Sequence, residues 1–169
     1  NSKIKLFEKN SFAYTLLEKI KIPSSVVKID EMAFFSCHKL KCVEFCENSE
    51  LETIENKAFD TCQIEKISFP SSVVDLKEEW CSGLKNLTDI TIFSNKNKKN
   101  IIYYDDKFIL GKSDPKSDIY DILLFARRDI EKVVIPSFIT QIQSYAFEFC
   151  QKMTQFEFAR NSQLKSIGK

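Results

Sequence analysis

The chain has 169 residues, 43% of them hydrophobic and 29% charged, which is enough for one continuous core and too balanced for a disordered tail. Its 25 basic and 24 acidic residues leave a net charge of +1, so no broad field exists for gripping nucleic acid or an anionic membrane. A single histidine excludes a multi-histidine metal site, and three scattered glycines (Gly83, Gly111, Gly168) build no phosphate-cradling loop.

The opening segment, NSKIKLFEKN, is charged and lacks an apolar core of signal type. No apolar run approaches the ~20 residues that cross a bilayer, so the chain as it stands reads as soluble. Within residues 1–16, Phe7, Ser11, Phe12 and Thr15 align on Ile54, Ala58, Phe59 and Cys62 further along, so the sequence starts in mid-repeat.

From Leu17 one phrase recurs, L-x-x-I-x-I: LEKIKI from Leu17, LKCVEF from Leu40, IEKISF from Ile64, LTDITI from Leu87, IEKVVI from Ile130 and MTQFEF from Met153. The steps are 23, 24, 23, 43 and 23 residues, and the long one equals a 23-residue repeat plus 20 inserted residues. The rest of the unit repeats too. Pro-x-x-x-x-x-Ile/Leu runs from Pro23 to Ile29, Pro70 to Leu76 and Pro136 to Ile142. Ala-Phe-x-x-Cys follows at Ala33/Phe34/Cys37, Ala58/Phe59/Cys62 and Ala146/Phe147/Cys150, degenerating in the third unit to Trp80, Cys81 and Leu84.

A unit this short cannot bury its own apolar face, so the units must stack as coils, with equivalent residues forming columns through the core. The alternation inside L-x-x-I-x-I is that of a strand with one face inward, and successive coils then give a parallel sheet. Proline ends the strand, Ser-Ser or Ser-Phe turns the corner, and a second short extended piece such as Val26 to Ile29 follows. Glu31 to Cys37 suits one helical or 3₁₀ turn with Ala and Phe packed inward.

Residues 93–129 break the plan. SNKNKKN reads as a solvated, lysine-rich loop, since no aromatic residues interleave it as a nucleic-acid patch needs. IIYYDDKFIL and IYDILLFA flank the turn residues of GKSDPKSD and predict a hairpin with arms near 101–110 and 119–126. It replaces the convex half of the fourth coil and projects or folds over one flank. The domain plan is a single unit over 1–169: a partial repeat at 1–16, repeats at 17–92, the insert at 93–129, and repeats at 130–169 with the last incomplete.

The phrase L-x-x-I-x-I-P-S-S-V-x-x-I-x-x-x-A-F-x-x-C, read at 17–37 and again from 64 and 130, closely resembles the BspA-like leucine-rich repeat proteins. Residues 5–92 and 130–169 match repeat for repeat, while the fourth coil and the Trp80 region depart from the pattern. The resemblance implies a right-handed leucine-rich-repeat solenoid of α/β type. It has about six coils, a parallel sheet on one face, short strands with helical or 3₁₀ turns on the other, and one β-hairpin insert. It also implies a surface-associated or secreted protein that adheres to host cells, extracellular matrix or other microbes, with no catalytic residues to carry over. The pattern asks for another Ala-Phe turn after Lys169, so the chain reads as a fragment of a longer array whose signal, anchor or cap can lie elsewhere.

The polar positions inside the strand phrase face outward: Lys19 and Lys21, Cys42 and Glu44, Lys66 and Ser68, Asp89 and Thr91, Lys132 and Val134, Gln155 and Glu157. Five steps of ~4.8 Å make a face ~24 Å wide, which with its rims approaches the ~20–30 residues per side of an ordinary protein interface. For any single residue, plain solvation is the competing reading. Tyr103, Tyr104 and Tyr120 are the insert aromatics that a hairpin can present to a partner.

Cys37, Cys62 and Cys150 occupy a core column and behave as small hydrophobes, with a disulfide between the adjacent Cys37 and Cys62 as the alternative. Cys42 and Cys46 fit no structural-zinc spacing and can instead crosslink chains. A Cys37–His38 nucleophile is disfavoured, because adjacent residues rarely aim at each other. The sequence therefore calls for no cofactor or metal, a non-enzymatic role, and a protein ligand. It also suggests self-association through uncapped coils. An intracellular scaffold is the alternative, separated from the surface reading by cysteine state. A third class, an enzyme, needs a pocket that the sequence gives no way to assemble.

Overall fold

The computed structural model describes residues 3–93 and 99–169. Most of the SNKNKKN stretch therefore lies outside the described residues. Short and long strands alternate along the first part of the chain: β1 (Leu6–Phe7), β2 (Lys19–Ile22), β3 (Lys28–Ile29), β4 (Cys42–Phe45), β5 (Thr53–Ile54), β6 (Lys66–Pro70), β7 (Asp75–Leu76) and β8 (Asp89–Phe93). The insert supplies β9 (Ile102–Tyr104), β10 (Phe108–Gly111) and β11 (Ile122–Ala126). Repeats resume with β12 (Lys132–Ile135), β13 (Gln141–Ile142), β14 (Gln155–Phe158) and β15 (Ser166–Ile167).

The strand phrase forms the long strands, with Ile22, Val43, Phe45, Ile67, Phe69, Val133 and Ile135 buried and the residues between them turned out. The Val-x-x-Ile piece forms the short strands, each inward aliphatic over the next: Phe7 on Ile29, Ile29 on Ile54, Ile54 on Leu76. Both sets pair in parallel, one repeat to the next. With partial coils at either end, the solenoid makes about seven turns rather than six.

The third side of each coil differs from the expected helical turn, since none of the described residues is helical. The N–H groups of Ala33, Phe35 and Cys37 close local turns on the carbonyls of Asp30, Met32 and Phe34. Those of Met32, Phe34 and Ser36 instead cross to Asn56, Ala58 and Asp60 in the next coil, at 3.3, 2.8 and 2.9 Å. A helix keeps its donors to itself; here every second donor serves the neighbouring coil. Left-handed residues make this possible. Met32 and Ser36 have φ of 56°, Lys57 and Thr61 57° and 61°, and Tyr145 and Phe149 63° and 58°. Between each such pair, Ala and Phe point inward.

Phe12, Phe34 and Phe59 stack face to face, centroids 5.0 and 5.2 Å apart and planes within 3° and 10° of parallel. The column stops there. In the third unit Cys81 stands where Phe59 stood, and Trp80, at the alanine position, lies edge-on to Phe69 at 5.4 Å and tilted against Phe125 of the insert at 5.6 Å. Phe147, expected in the same column, packs instead edge-on to Phe108 and Phe156 and is only half-buried. The core is accordingly two clusters rather than one spine.

The insert is the reason. It is a three-stranded antiparallel meander, β9-β10-β11, that joins the second short-strand sheet through β11 beside β13. The expected first arm, 101–110, thus folds into a hairpin of its own around Asp105 and Asp106, both at positive φ (53° and 49°), which is the type I′ geometry of tight hairpins. The meander does not project. Phe108, Leu110, Leu123 and Ala126 pack into the second cluster, while Ile109 and Phe125 pack into the first. Leu124, the extra residue of a bulge, joins the first cluster as well. Strands buried on both faces make a partition between two stacks of coils.

The partition breaks both sheets. The long strands form β2-β4-β6-β8 and a separate β12-β14, and the short strands form β1-β3-β5-β7 and β15-β13-β11-β10-β9. At this seam side chains replace the missing backbone ladder. Gln143 Nε2 donates to Leu76 O at 2.9 Å, Ser144 Oγ to Glu78 at 3.1 Å, and Gly83 N–H to Glu148 Oε2 at 3.1 Å. Arg128, buried at 3% exposure, donates to the carbonyls of Leu84, Ala146 and Tyr145.

Candidate protein-binding faces

Period-two alternation puts the outward residues of the long strands into rows, and the register is regular. Lys19, Cys42, Lys66 and Asp89 stand side by side across four strands, as do Lys21, Glu44, Ser68 and Thr91. Lys132 beside Gln155 and Val134 beside Glu157 continue the pattern on the second sheet. None of the twelve is buried. Their face is divided between two sheets instead of running unbroken over six strands.

Charges on the larger sheet are paired across strands. Lys19 Nζ lies 2.7 Å from Glu44 and Lys66 Nζ 3.0 Å from Asp89. The Glu44 hydrogen bond raises the Lys19 pKa, and the same contact lowers that of Glu44; Asp89 likewise raises Lys66. All are solvent-screened surface pairs of small energetic weight. Among the described residues Lys21 enters no such pair, and with Glu44, Phe45, Cys46, Lys66 and Ser68 it bounds a cleft of about 510 Å³. Cys42 sits on the face with its thiol pKa raised, chiefly by burial, whereas Cys46 Sγ reaches back to Ile22 O at 3.5 Å.

The insert tyrosines are half-buried and tied to the chain. Tyr103 OH donates to Asp106 O at 2.8 Å, Tyr120 OH to Lys99 O at 2.9 Å, and Tyr104 packs edge-on to Phe138. They lie on the meander and are not gathered with the strand rows.

The core thiols form a repeated device. Cys37 Sγ bonds Phe12 O at 3.0 Å and Cys62 Sγ bonds Phe34 O at 3.1 Å, each reaching the preceding coil; Thr15 heads the column with its hydroxyl 3.3 Å from Cys37 Sγ. The Cys37 sulfur and burial push the Cys62 thiol upward, and burial pushes Cys81 up to about 11. His38 is exposed while Cys37 is buried. Among the described residues no cluster of His, Cys, Asp or Glu could hold a metal ion.

Sequence reasoning missed Arg128 and the seam. The signal available was the chain's lone Arg-Arg pair, in a protein otherwise rich in lysine, directly before the IEKVVI strand.

Stacked coils with a parallel sheet on each of two sides define a solenoid repeat protein. A sequence profile of the BspA type leucine rich repeat region matches six copies, over residues 5–106 and 119–169, and the chain belongs to that family. No curated protein sequence matches it. Among solved structures it is similar to the pneumococcal vaccine antigen PcpA, with TM-score 0.82 and 24% identity, covering 99% of this chain and 40% of that one. A leucine-rich cell-surface protein from Faecalibacterium prausnitzii matches with TM-score 0.63 and 20% identity over 89% of this chain and 47% of that one. A leucine-rich repeat protein from Eubacterium ventriosum matches at 0.66 and 19%, over 99% and 54%. The chain thus spans about half or less of the proteins whose fold it shares.

Proposed function

We propose that this chain is a non-enzymatic protein-binding module, displayed on the cell surface or secreted, that mediates adhesion to host cells, extracellular matrix or other microbes. Its ligand-facing surface is the long-strand face: Lys19, Lys21, Cys42, Glu44, Lys66, Ser68, Asp89 and Thr91, continued by Lys132, Val134, Gln155 and Glu157. Tyr103, Tyr104 and Tyr120 of the insert offer a separate contact. The observation that carries this reading is the in-register rows of outward side chains, none of them buried, on a scaffold fixed by parallel pairing. Such a surface is pre-organised, so binding costs little ordering entropy. Likeness to cell-surface proteins supports the location.

The test is a pull-down against candidate host-surface and matrix proteins, repeated with Lys19, Lys66 and Lys132 reversed in charge. Capture that disappears with the reversal supports the face; capture that persists unchanged removes it. Exposed Leu6, Tyr14 and Leu16 on the first coils and Phe156, Phe158 and Ile167 on the last extend the proposal to self-association through the ends. Strictly monomeric light scattering at high concentration counts against that extension. An intracellular scaffold is the second reading, favoured by one observation: all six cysteines are free.

A further inference from the structure

The seam between the two stacks opens a cleft of about 480 Å³, lined by Glu65, Lys85, Asn86, Thr88, Arg128, Asp129, Phe149, Gln151 and Lys152. It lies where the insert separates β8 and β12 into different sheets. Its charges are unequal in availability. Glu65 is taken by Lys41 at 2.8 Å and Asp129 by Arg127 at 2.6 Å, both partners outside the lining. Lys85 and Lys152, by contrast, are exposed and enter no ion pair among the described residues.

Arg128 adds a positive charge that enters no ion pair among the described residues. Its guanidinium lies 4.2 Å over the Phe125 ring and donates to backbone carbonyls of Leu84, Ala146, Ala126 and Tyr145. Carbonyls satisfy its N–H groups without cancelling its charge, and little solvent screens a group this buried. The cleft therefore holds three cations that enter no ion pair among the described residues, against two carboxylates already paired with Lys41 and Arg127. Beside them stand an exposed aromatic wall, Phe149, and the amide side chains of Gln151 and of Asn86, whose Nδ2 donates to Gln63 Oε1 at 3.0 Å and keeps a second N–H and its oxygen for a ligand.

We propose that this cleft binds an acidic peptide segment of a protein partner, with a carboxylate between Lys85 and Lys152, an apolar neighbour against Phe149, and peptide groups on Asn86 and Gln151. The inference rests on the protein-binding reading and gives it a second, separate site. A uniform polyanion such as a sulfated glycan suits the cleft less well, because the Glu65 and Asp129 carboxylates share its wall. A peptide can place one acidic side chain and meet the rest with neutral groups. The volume matches a few residues rather than a whole domain.

The test selects from a random heptapeptide library displayed on phage, using the full chain, the Lys85→Glu/Lys152→Glu variant and the Lys19/Lys66/Lys132 charge-reversed variant as separate baits. The expected result is enrichment of sequences with Asp or Glu next to an apolar residue. Affinities should fall at least tenfold on Lys85→Glu/Lys152→Glu and hold on the long-strand-face variant. Circular dichroism confirms that each bait is folded. No enrichment, enrichment of neutral or basic peptides, or acidic peptides retained by Lys85→Glu/Lys152→Glu overturns the proposal. So does a heparin-derived oligosaccharide that binds the cleft when no peptide does. Peptides lost only on the long-strand-face variant overturn this inference while leaving the proposed function standing.

Discussion

Arg128 lies with its guanidinium 4.2 Å over the ring of Phe125, one of the residues through which the insert reaches into the first core cluster. The pair joins what the interrupted ladder would leave apart: Phe125 packs on Trp80 of the third coil, and Arg128 occupies carbonyls from both sides of the seam.

Removing that arginine should be among the costliest single changes in the chain. Arg128→Met takes from the Leu84 carbonyl its donor and from the Ala146 and Tyr145 carbonyls a second one, those two keeping the N–H groups of Ala126 and Glu148, and should lower unfolding stability by about 3 kcal/mol. Arg128→Lys should recover little of this, since one ammonium on a flexible stem does not reproduce the planar fork. Urea denaturation measures it; a loss under about 1 kcal/mol for Arg128→Met would mean that water serves those carbonyls equally well.

The two aromatic positions that look equivalent in sequence should respond differently. Phe34 is fully buried in a stack, so Phe34→Ala should cost ~3–5 kcal/mol. Phe147 is half-buried against edges, and Phe147→Ala should cost about half as much. Equal losses in paired melts would contradict the two-cluster core.

Asp121 makes the insert acid-sensitive. Burial pushes its carboxyl up, but hydrogen bonds from Thr140 Oγ1 at 2.7 Å and from Ser113 N–H and Oγ at 2.9 and 2.8 Å outweigh this and hold its pKa below the usual value of 3.8. A carboxylate whose folded pKa is depressed stabilises the protein fully above the unfolded value and loses that contribution as pH falls through the folded one. Asp121→Asn should therefore cost about 2 kcal/mol at pH 7, and the gap from wild type should close below about pH 4. A gap constant from pH 7 to 2 would show that the charge is not what holds the loop.

Thiol reactivity should divide the cysteines by burial. Cys42 and Cys46 are half-exposed and should react with Ellman's reagent within minutes at pH 8, while Cys37, Cys62, Cys81 and Cys150 wait for unfolding. Prompt reaction of more than two thiols in the folded chain would place the Cys column near solvent.

Gly83 marks where the third unit departs from the Ala-Phe-x-x-Cys pattern. Its φ is +75°, and a Cβ there would stand 2.8 Å from both Asp60 Oδ1 and Thr61 N. Gly83→Ala should destabilise by about 2 kcal/mol, and the Glu148 carboxylate that accepts the Gly83 N–H should shift with it. An unchanged melting temperature would show that the third turn relaxes freely.

The repeat itself was legible in the sequence because it is a local, periodic fact. Aliphatic residues at fixed offsets dictate strand, corner and turn wherever the same phrase occurs, so the strand register, the Thr15-Cys37-Cys62 column and the inward Ala-Phe positions follow from counting. The outward rows followed as well, since a strand alternates. Two things were decided only by tertiary structure. Turn residues took left-handed conformations because every second N–H could bond the next coil, a partner that no single repeat contains. The insert became a buried partition because both of its faces are apolar, and strands with two apolar faces find burial only between stacks. Once it lay there, the ladder was broken and a buried arginine came to bond carbonyls on both sides of the break. Beside it a cationic cleft appeared, where periodicity alone predicts an unbroken spine.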